Sequence, residues 1–212
     1  MTEQSLREEI CRIGRDLFLR GYTAGTAGNI SIRLDDGWLI TPTDACLGRL
    51  DPECLAKVSR NGEWISGDKP SKTLELHRLI FDARPDSRVI IHTHSTHLVA
   101  LTLAGVWKPD CILPPVTPYQ VMKVGRIPLI PYDRPGSPQV AAKVAKLAGS
   151  VRGVMLERLG PVIWGETPER ASACLEELEE TARLWLMTTP RPAPLTPDAL
   201  DDLRITFGAV WE

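Results

Sequence analysis

His92 and His94 stand two residues apart, directly after the apolar run Val89-Ile90-Ile91. A strand turns successive side chains to opposite sides, so residues i and i+2 share a side. Two imidazoles on one side, at a strand end where the chain opens into a loop, can hold one metal ion. His77 and His97 are the other histidines, so three of the four lie within six residues. Spacing this short also recurs in pairs of structural histidines that hydrogen-bond backbone groups, and the pair alone leaves both readings open.

The flanking elements must deliver that pair to a common place. Residues 5–20 read as a first helix: Ser5-x-x-Glu8 has the form of a capping box, Leu6, Ile10, Ile13 and Leu17 keep helical spacing, and Gly21 can end it. A glycine-rich turn, Gly25 to Asn29, leads to alternating Ile30, Ile32 and Leu34, which is strand spacing. Asp36-Gly37 and Asn61-Gly62 are hairpin signals. Ser71 is placed to cap a helix carrying Leu74, His77 and Phe81, and a short helix is expected from His97 to Leu103. Seven prolines between Trp107 and Pro135 exclude one long helix and predict loops with short strands such as 127–130. Ser137-Pro138 opens a helix to Leu147, strands follow at 154–156 and 162–164, and Thr167-Pro168 opens a long helix to Met187. Pro190 to Pro197 reads as a linker to a short terminal helix. The expectation is one α/β domain over residues 1–212, with a core at about 5–187, a tail at 188–212, and a central mixed, largely antiparallel sheet flanked by helices.

Composition narrows the partners. Apolar residues make up 43% and charged residues 25% of 212, ordinary for a globular chain. A net charge of −2 provides no bulk attraction to nucleic acid or anionic membrane. No apolar run reaches the roughly 20 residues of a membrane helix, and the polar N-terminal stretch is unlike a signal peptide. Five scattered cysteines without a C-x-x-C pair argue against a disulfide framework and a thiolate zinc site, and for a reducing cytoplasm.

Several short motifs occur in one order: Gly25-Thr26-Ala27-Gly28-Asn29, Thr41-Pro42-Thr43, Pro70-Ser71-Lys72, His92-Thr93-His94-Ser95-Thr96-His97 and Thr117-Pro118-Tyr119. Together they resemble the class II aldolase/adducin family, from about residue 5 to residue 187. Cys46 to Pro52, Gly67 to Lys72 and Thr117 to Met122 look most like the branch of that family that decarboxylates 3-oxo-tetronate 4-phosphates. The resemblance implies a divalent metal, expected to be zinc, on His92 and His94. It implies an anion site for the substrate phosphate at Gly28, Asn29, Thr43, Ser71 and Lys72, where backbone N–H groups, hydroxyls and an ammonium would converge. It implies Tyr119 as a proton donor reaching a neighbouring subunit's site, and hence a homotetramer with sites at subunit interfaces. The same residues have plainer roles too: Gly28 and Ser71 suit an ordinary turn and cap, and Tyr119 suits a packed loop.

Three positions depart from the family pattern. The acid/base position falls at Thr73, which has no carboxylate, and Glu75 lies about 200° further round a helix. The third metal histidine falls at Leu159, which cannot ligate. Glu157, two residues earlier on an expected strand, is the candidate replacement, with a surface ion pair to Arg158 or Arg152 as its other reading. Asp44 follows the Thr41-Pro42-Thr43 motif and would repel a phosphate unless Lys72 or Arg49 neutralises it. The leading expectation is a metal-dependent lyase of carbohydrate metabolism that decarboxylates a short sugar-acid derivative through an enediolate. Its rivals are an aldolase sharing that intermediate and a non-catalytic binding or scaffold member of the family.

Overall fold

Short, largely apolar strands build a sheet that is buried on both faces except at the exposed edge strand of residues 64–66. The computed structural model describes residues 2–211. Strands β1 (Asn29–Arg33), β2 (Gly37–Ile40), β3 (Ala56–Ser59), β4 (Trp64–Ser66), β5 (Val89–His92), β6 (Leu129–Ile130), β7 (Gly153–Leu156) and β8 (Gly160–Gly165) lie in the order β4-β3-β2-β1-β5-β8-β7-β6. Every pairing is antiparallel except β6 with β7. This is the single-domain α/β architecture expected from the sequence.

Odd and even strand residues serve different layers. Ile30, Ile32, Val89, Ile91, Met155 and Ile163 pack under α1 (Glu3–Leu19), α3 (Thr96–Ala104) and α5 (Pro168–Met187). Trp38, Ile90, Val154, Val162 and Trp164 pack on the other face, under α2 (Leu74–Ala83) and α4 (Pro138–Ala148). The tail contributes α6 (Pro197–Phe207), which seats Leu203 against Val121. Each fully buried aliphatic side chain of this kind stabilises the fold by about 1.5–3 kcal/mol.

Several local expectations change. The first helix starts two residues earlier, because Thr2 accepts from the Ser5 N–H and the Ser5 hydroxyl instead donates to the Thr2 carbonyl. The N-cap of α2 is Thr73, not Ser71. The proline-rich segment contains a π-helical turn at Gln120–Val124, where the Gly125 N–H donates to the Gln120 carbonyl. No helix among the described residues is long and apolar enough to cross a membrane.

His77 is a structural histidine, fully buried between α2 and β1. Asn29 Oδ1 can only accept, so His77 Nε2 carries the proton and donates to it at 2.6 Å. His77 Nδ1 then accepts from the Ser31 hydroxyl at 2.7 Å. Burial, with the nearby His92, pushes the His77 pKa down to about 3 from 6.5. The folded state thus refuses a proton that the unfolded chain accepts. Its stabilising contribution is complete above pH 6.5 and declines as pH falls towards 3. Urea unfolding at pH 7 and pH 5 is expected to show a loss of about 2 kcal/mol from this group alone. An unchanged midpoint would mean that His77 charges within the fold.

Candidate active site

β5 ends at His92, and two glycines shape the loop beyond it. A Cβ on Gly28 (φ +87°) would stand 2.6 Å from the His92 carbonyl oxygen, and one on Gly160 (φ +143°) would stand 1.9 Å from the Thr93 oxygen. Glycine at both positions lets the β1 loop and the β7–β8 turn press directly on the backbone of His92, Thr93 and His94. The Pro161 carbonyl accepts from His92 Nδ1 at 2.8 Å and from the Thr93 N–H at 3.4 Å. A carbonyl only accepts, so Nδ1 holds the His92 proton and Nε2 is left with a lone pair.

His92 is buried on the α2/α4 face and lines a cavity there. Burial lowers its pKa to about 4, with His94 adding to the shift and the Pro161 bond opposing it. His94 lies beyond the strand end, with its ring centroid 5.0 Å from that of His92 and the planes at 61°. Burial also lowers its pKa. The two imidazoles are neighbours as expected, although a loop rather than strand alternation presents His94.

The cavity gathers Lys72, Thr73, His92, Glu157 and Leu159. Residues 29, 41–43 and 70–72 adjoin it: Asn29 pairs in register with His92, Pro42 bridges Pro70, and the Ser71 N–H donates to the Thr41 carbonyl. Gly28, Asn29, Thr43, Ser71 and Lys72 therefore lie on adjoining segments at one end of the sheet. The bond from His77 leaves the Asn29 NH2 as a donor. Lys72 Nζ is 3.5 Å from Asp44 Oδ1, both side chains largely exposed, so the pair is weak and an anion can compete for the ammonium. Tyr119 is exposed and lies beside the π-helical turn, not in this cavity.

The departures at 73 and 159 meet in the same cavity. Thr73 Oγ1 is 3.0 Å from Ser71 Oγ and supplies no carboxylate. Glu75 cannot stand in, because Arg78 holds both its oxygens at 2.6 and 2.8 Å. Glu157 is corrected from strand to turn, where Arg158 takes a positive φ of 61° and its neighbour's carboxylate accepts from the Tyr132 N–H at 2.8 Å. It pairs with neither Arg158 nor Arg152. Among the described residues no three His, Cys, Asp or Glu side chains are grouped to hold a metal. The side chains present therefore do not fit a three-ligand metal centre: two imidazoles remain, and Leu159 fills the cavity wall where a third donor would be needed.

Sequence reasoning missed the segment 132–137. Its prolines announced a loop, but nothing in them indicated that the loop folds over His92. Arg134 and Ser137 line the cavity, and Asp133 accepts from the Ser137 hydroxyl at 2.8 Å.

The same chain has close relatives among known proteins. Residues 8–186 match the Class II Aldolase and Adducin N-terminal domain. The chain belongs to the class II aldolase/adducin family. That family is in general dependent on divalent metals, which sharpens the contrast with Leu159. The chain is 65% identical to the 3-oxo-tetronate 4-phosphate decarboxylase of Cupriavidus necator over 99% of each protein. It is 45% identical to the enzyme of the same name from Escherichia coli, over 96% of this chain and 97% of that one. An L-fuculose phosphate aldolase of Haemophilus influenzae is 30% identical over 98% and 94%. The crystal structure of YgbL from Escherichia coli superposes with a TM-score of 0.90 at 43% identity, covering 95% of this chain and 99% of that one.

The contact at Gly160 yields a test. Gly160→Ala is expected to destabilise the fold by about 3 kcal/mol, since both the Cβ overlap and the backbone conformation oppose it. Thermal and urea unfolding would read this directly. A variant as stable as the parent would show that the turn does not press on Thr93.

Proposed function

We propose that this member of the class II aldolase/adducin family is a carbon–carbon lyase that decarboxylates a four-carbon 3-oxo sugar acid bearing a phosphate. The observation that carries the reading is the 65% identity, over 99% of both chains, to an enzyme named for that reaction. The cavity chemistry supports it. In such a substrate the C1–C2 bond breaks, CO2 leaves, and the electron pair spreads over C2 and the C3 carbonyl oxygen as an enediolate. A proton then returns to C2, leaving a three-carbon keto phosphate. Cationic and hydroxyl groups near the C3 oxygen favour that charge, and Lys72 and Thr73 line the cavity beside His92. Gly28, Asn29, Thr43 and Ser71 form the phosphate end, with Lys72 shared between phosphate and oxyanion.

In this reading the protein works in the cytoplasm as a homotetramer, and Tyr119 of a neighbouring subunit returns the proton. Exposure of Tyr119 on the single chain suits that role. Zinc is the expected family metal, but Leu159 and the committed Glu157 leave His92 and His94 without a third donor for it. We therefore assign the metal no step. Glu157 contributes to the cavity wall by fixing the Tyr132 backbone.

Two measurements test the reading. Incubation with 3-oxo-tetronate 4-phosphate is expected to release CO2 rather than an aldehyde, and His92→Ala is expected to lower kcat/KM by about 100-fold or more. Aldehyde release would favour the aldolase reading, and neither product would favour a binding role. Separately, Leu159→His is expected to raise zinc affinity by about tenfold or more in competition with a chromophoric chelator. An affinity already tight in the parent, and unmoved by the substitution, would show that another group completes a metal site.

A further inference from the structure

Six helices begin in the described residues, and the treatment of their first turns divides them. Thr2, Thr167 and Thr196 cap α1, α5 and α6 with side-chain oxygens. Ser95 makes no side-chain cap for α3, and there a buried carboxylate substitutes: Glu179 accepts from the N–H groups of His97 and Leu98 at 2.9 and 3.0 Å. Thr73 and Ser137 likewise provide no side-chain cap for α2 and α4. No carboxylate substitutes here. At α2 Ser71 accepts from the Thr73 and Leu74 N–H groups, but those of Glu75 and Leu76, like those of Gln139 and Val140 at α4, have no acceptor among the described residues. Both first turns line the same cavity, so two helix N-termini place positive potential on one small space.

An independent feature points to a ligand in that space. His92 is 2% exposed and lines the cavity, and with Nδ1 committed to Pro161 its Nε2 has no partner among the described residues. Arg134 also lines the cavity, and its guanidinium makes no ion pair or hydrogen bond among the described residues. The carboxylates nearby are all engaged: Glu75 by Arg78, Glu157 by the Tyr132 N–H, and Asp133 by Ser137 and the Arg134 N–H. Ile130, Leu156 and Leu159 supply apolar wall. The space measures about 60 Å³, enough for roughly four waters and thus for one end of a sugar acid rather than the whole of it.

We infer that this cavity is the carboxylate pocket of the substrate. Arg134 and the free first-turn N–H groups of α2 and α4 hold the C1 carboxylate, and His92 Nε2 accepts from the adjoining C2 hydroxyl. The phosphate then extends to the other side of Lys72, onto the segments of Gly28, Asn29, Thr43 and Ser71. A planar guanidinium matches a carboxylate edge, whereas the apolar wall offers nothing to a phosphate's remaining oxygens. As carbon dioxide forms, it loses the charge that the pocket holds and is left beside Leu156 and Leu159. The inference rests on the proposed sugar-acid phosphate substrate, and it makes Arg134 a specificity-determining residue.

The test uses two unreactive probes, so that it does not depend on turnover: a four-carbon sugar-acid phosphate with a hydroxyl at C3, and the sugar-alcohol phosphate that lacks only the carboxylate. Calorimetry on the whole protein is expected to show the acid binding about 10–100-fold more tightly than the alcohol. In Arg134→Ala that preference should collapse while affinity for the alcohol holds, and Arg134→Lys should restore part of it. Arg134 is exposed in a loop, and an unchanged melting temperature would establish that the variant folds. Equal affinities in the parent, or an equal loss for both probes in Arg134→Ala, would overturn the assignment. Carboxylate preference that survives in a protein releasing no CO2 would instead overturn the decarboxylase reading and leave the pocket standing.

Discussion

The backbone at the end of β5 is gripped from two sides, and the candidate site depends on that grip. Gly28 closes on the His92 carbonyl, Gly160 closes on the Thr93 carbonyl, and Pro161 accepts from both the His92 ring and the Thr93 N–H. Neither glycine position has room for a β-carbon. The three-way junction sets the tautomer of His92, turns its free nitrogen to the α2/α4 face, and carries His94 just past the strand end. Thr93 and Ser95 extend the grip inward: Thr93 Oγ1 lies 2.6 Å from Ser95 Oγ, and the Ser95 hydroxyl donates to the Tyr22 carbonyl at 3.1 Å. A rigid base of this kind is what a reacting group needs if its orientation is to hold through the reaction.

Around that base, polar groups divide into those that are spent and those that are free. His77 is spent on Ser31 and Asn29, and Glu179 on the start of α3. The carboxylates of Glu75, Asp133 and Glu157 each satisfy a local donor. His92 Nε2, the Arg134 guanidinium and the first turns of α2 and α4 are left over, and all of them border one cavity. Free donors and a free imidazole nitrogen around one cavity are what a polar ligand needs for its own hydrogen bonds. The replacements at 73 and 159 alter the same cavity. Thr73 and Leu159 bring a hydroxyl and an isobutyl group to this cavity, neither of which carries charge. Membership in a metal-dependent family and poverty of metal donors thus coexist in one chain.

How much was legible beforehand differs from element to element. The order of helices and strands followed from periodicity and from Gly, Pro and Thr signals, because those depend on neighbours a few residues away. The α4 and α5 starts were readable for the same reason: a proline at the first helical position follows a capping-type residue. Ser5 and Ser71 misled because the residues that end up at the caps, Thr2 and Thr73, sit close by and have comparable chemistry. The π-helical turn at 120–124 had no local signal that distinguishes it from a loop.

By itself the sequence determined the family and the layered α/β architecture and singled out His92 and His94 as candidates, since ordered motifs and short-range spacing carry that information. It also marked Thr73 and Leu159 as expected departures from the family pattern. Only the tertiary structure decided that these two positions share a cavity with His92, that Glu157 is already committed to the Tyr132 N–H, and that the loop of Arg134 folds over them. Those facts depend on the antiparallel pairing of β5 with β8, on the β7–β8 turn and on the packing of α4 beside α2. Each joins elements that local sequence patterns treat separately, and no local pattern records such a contact.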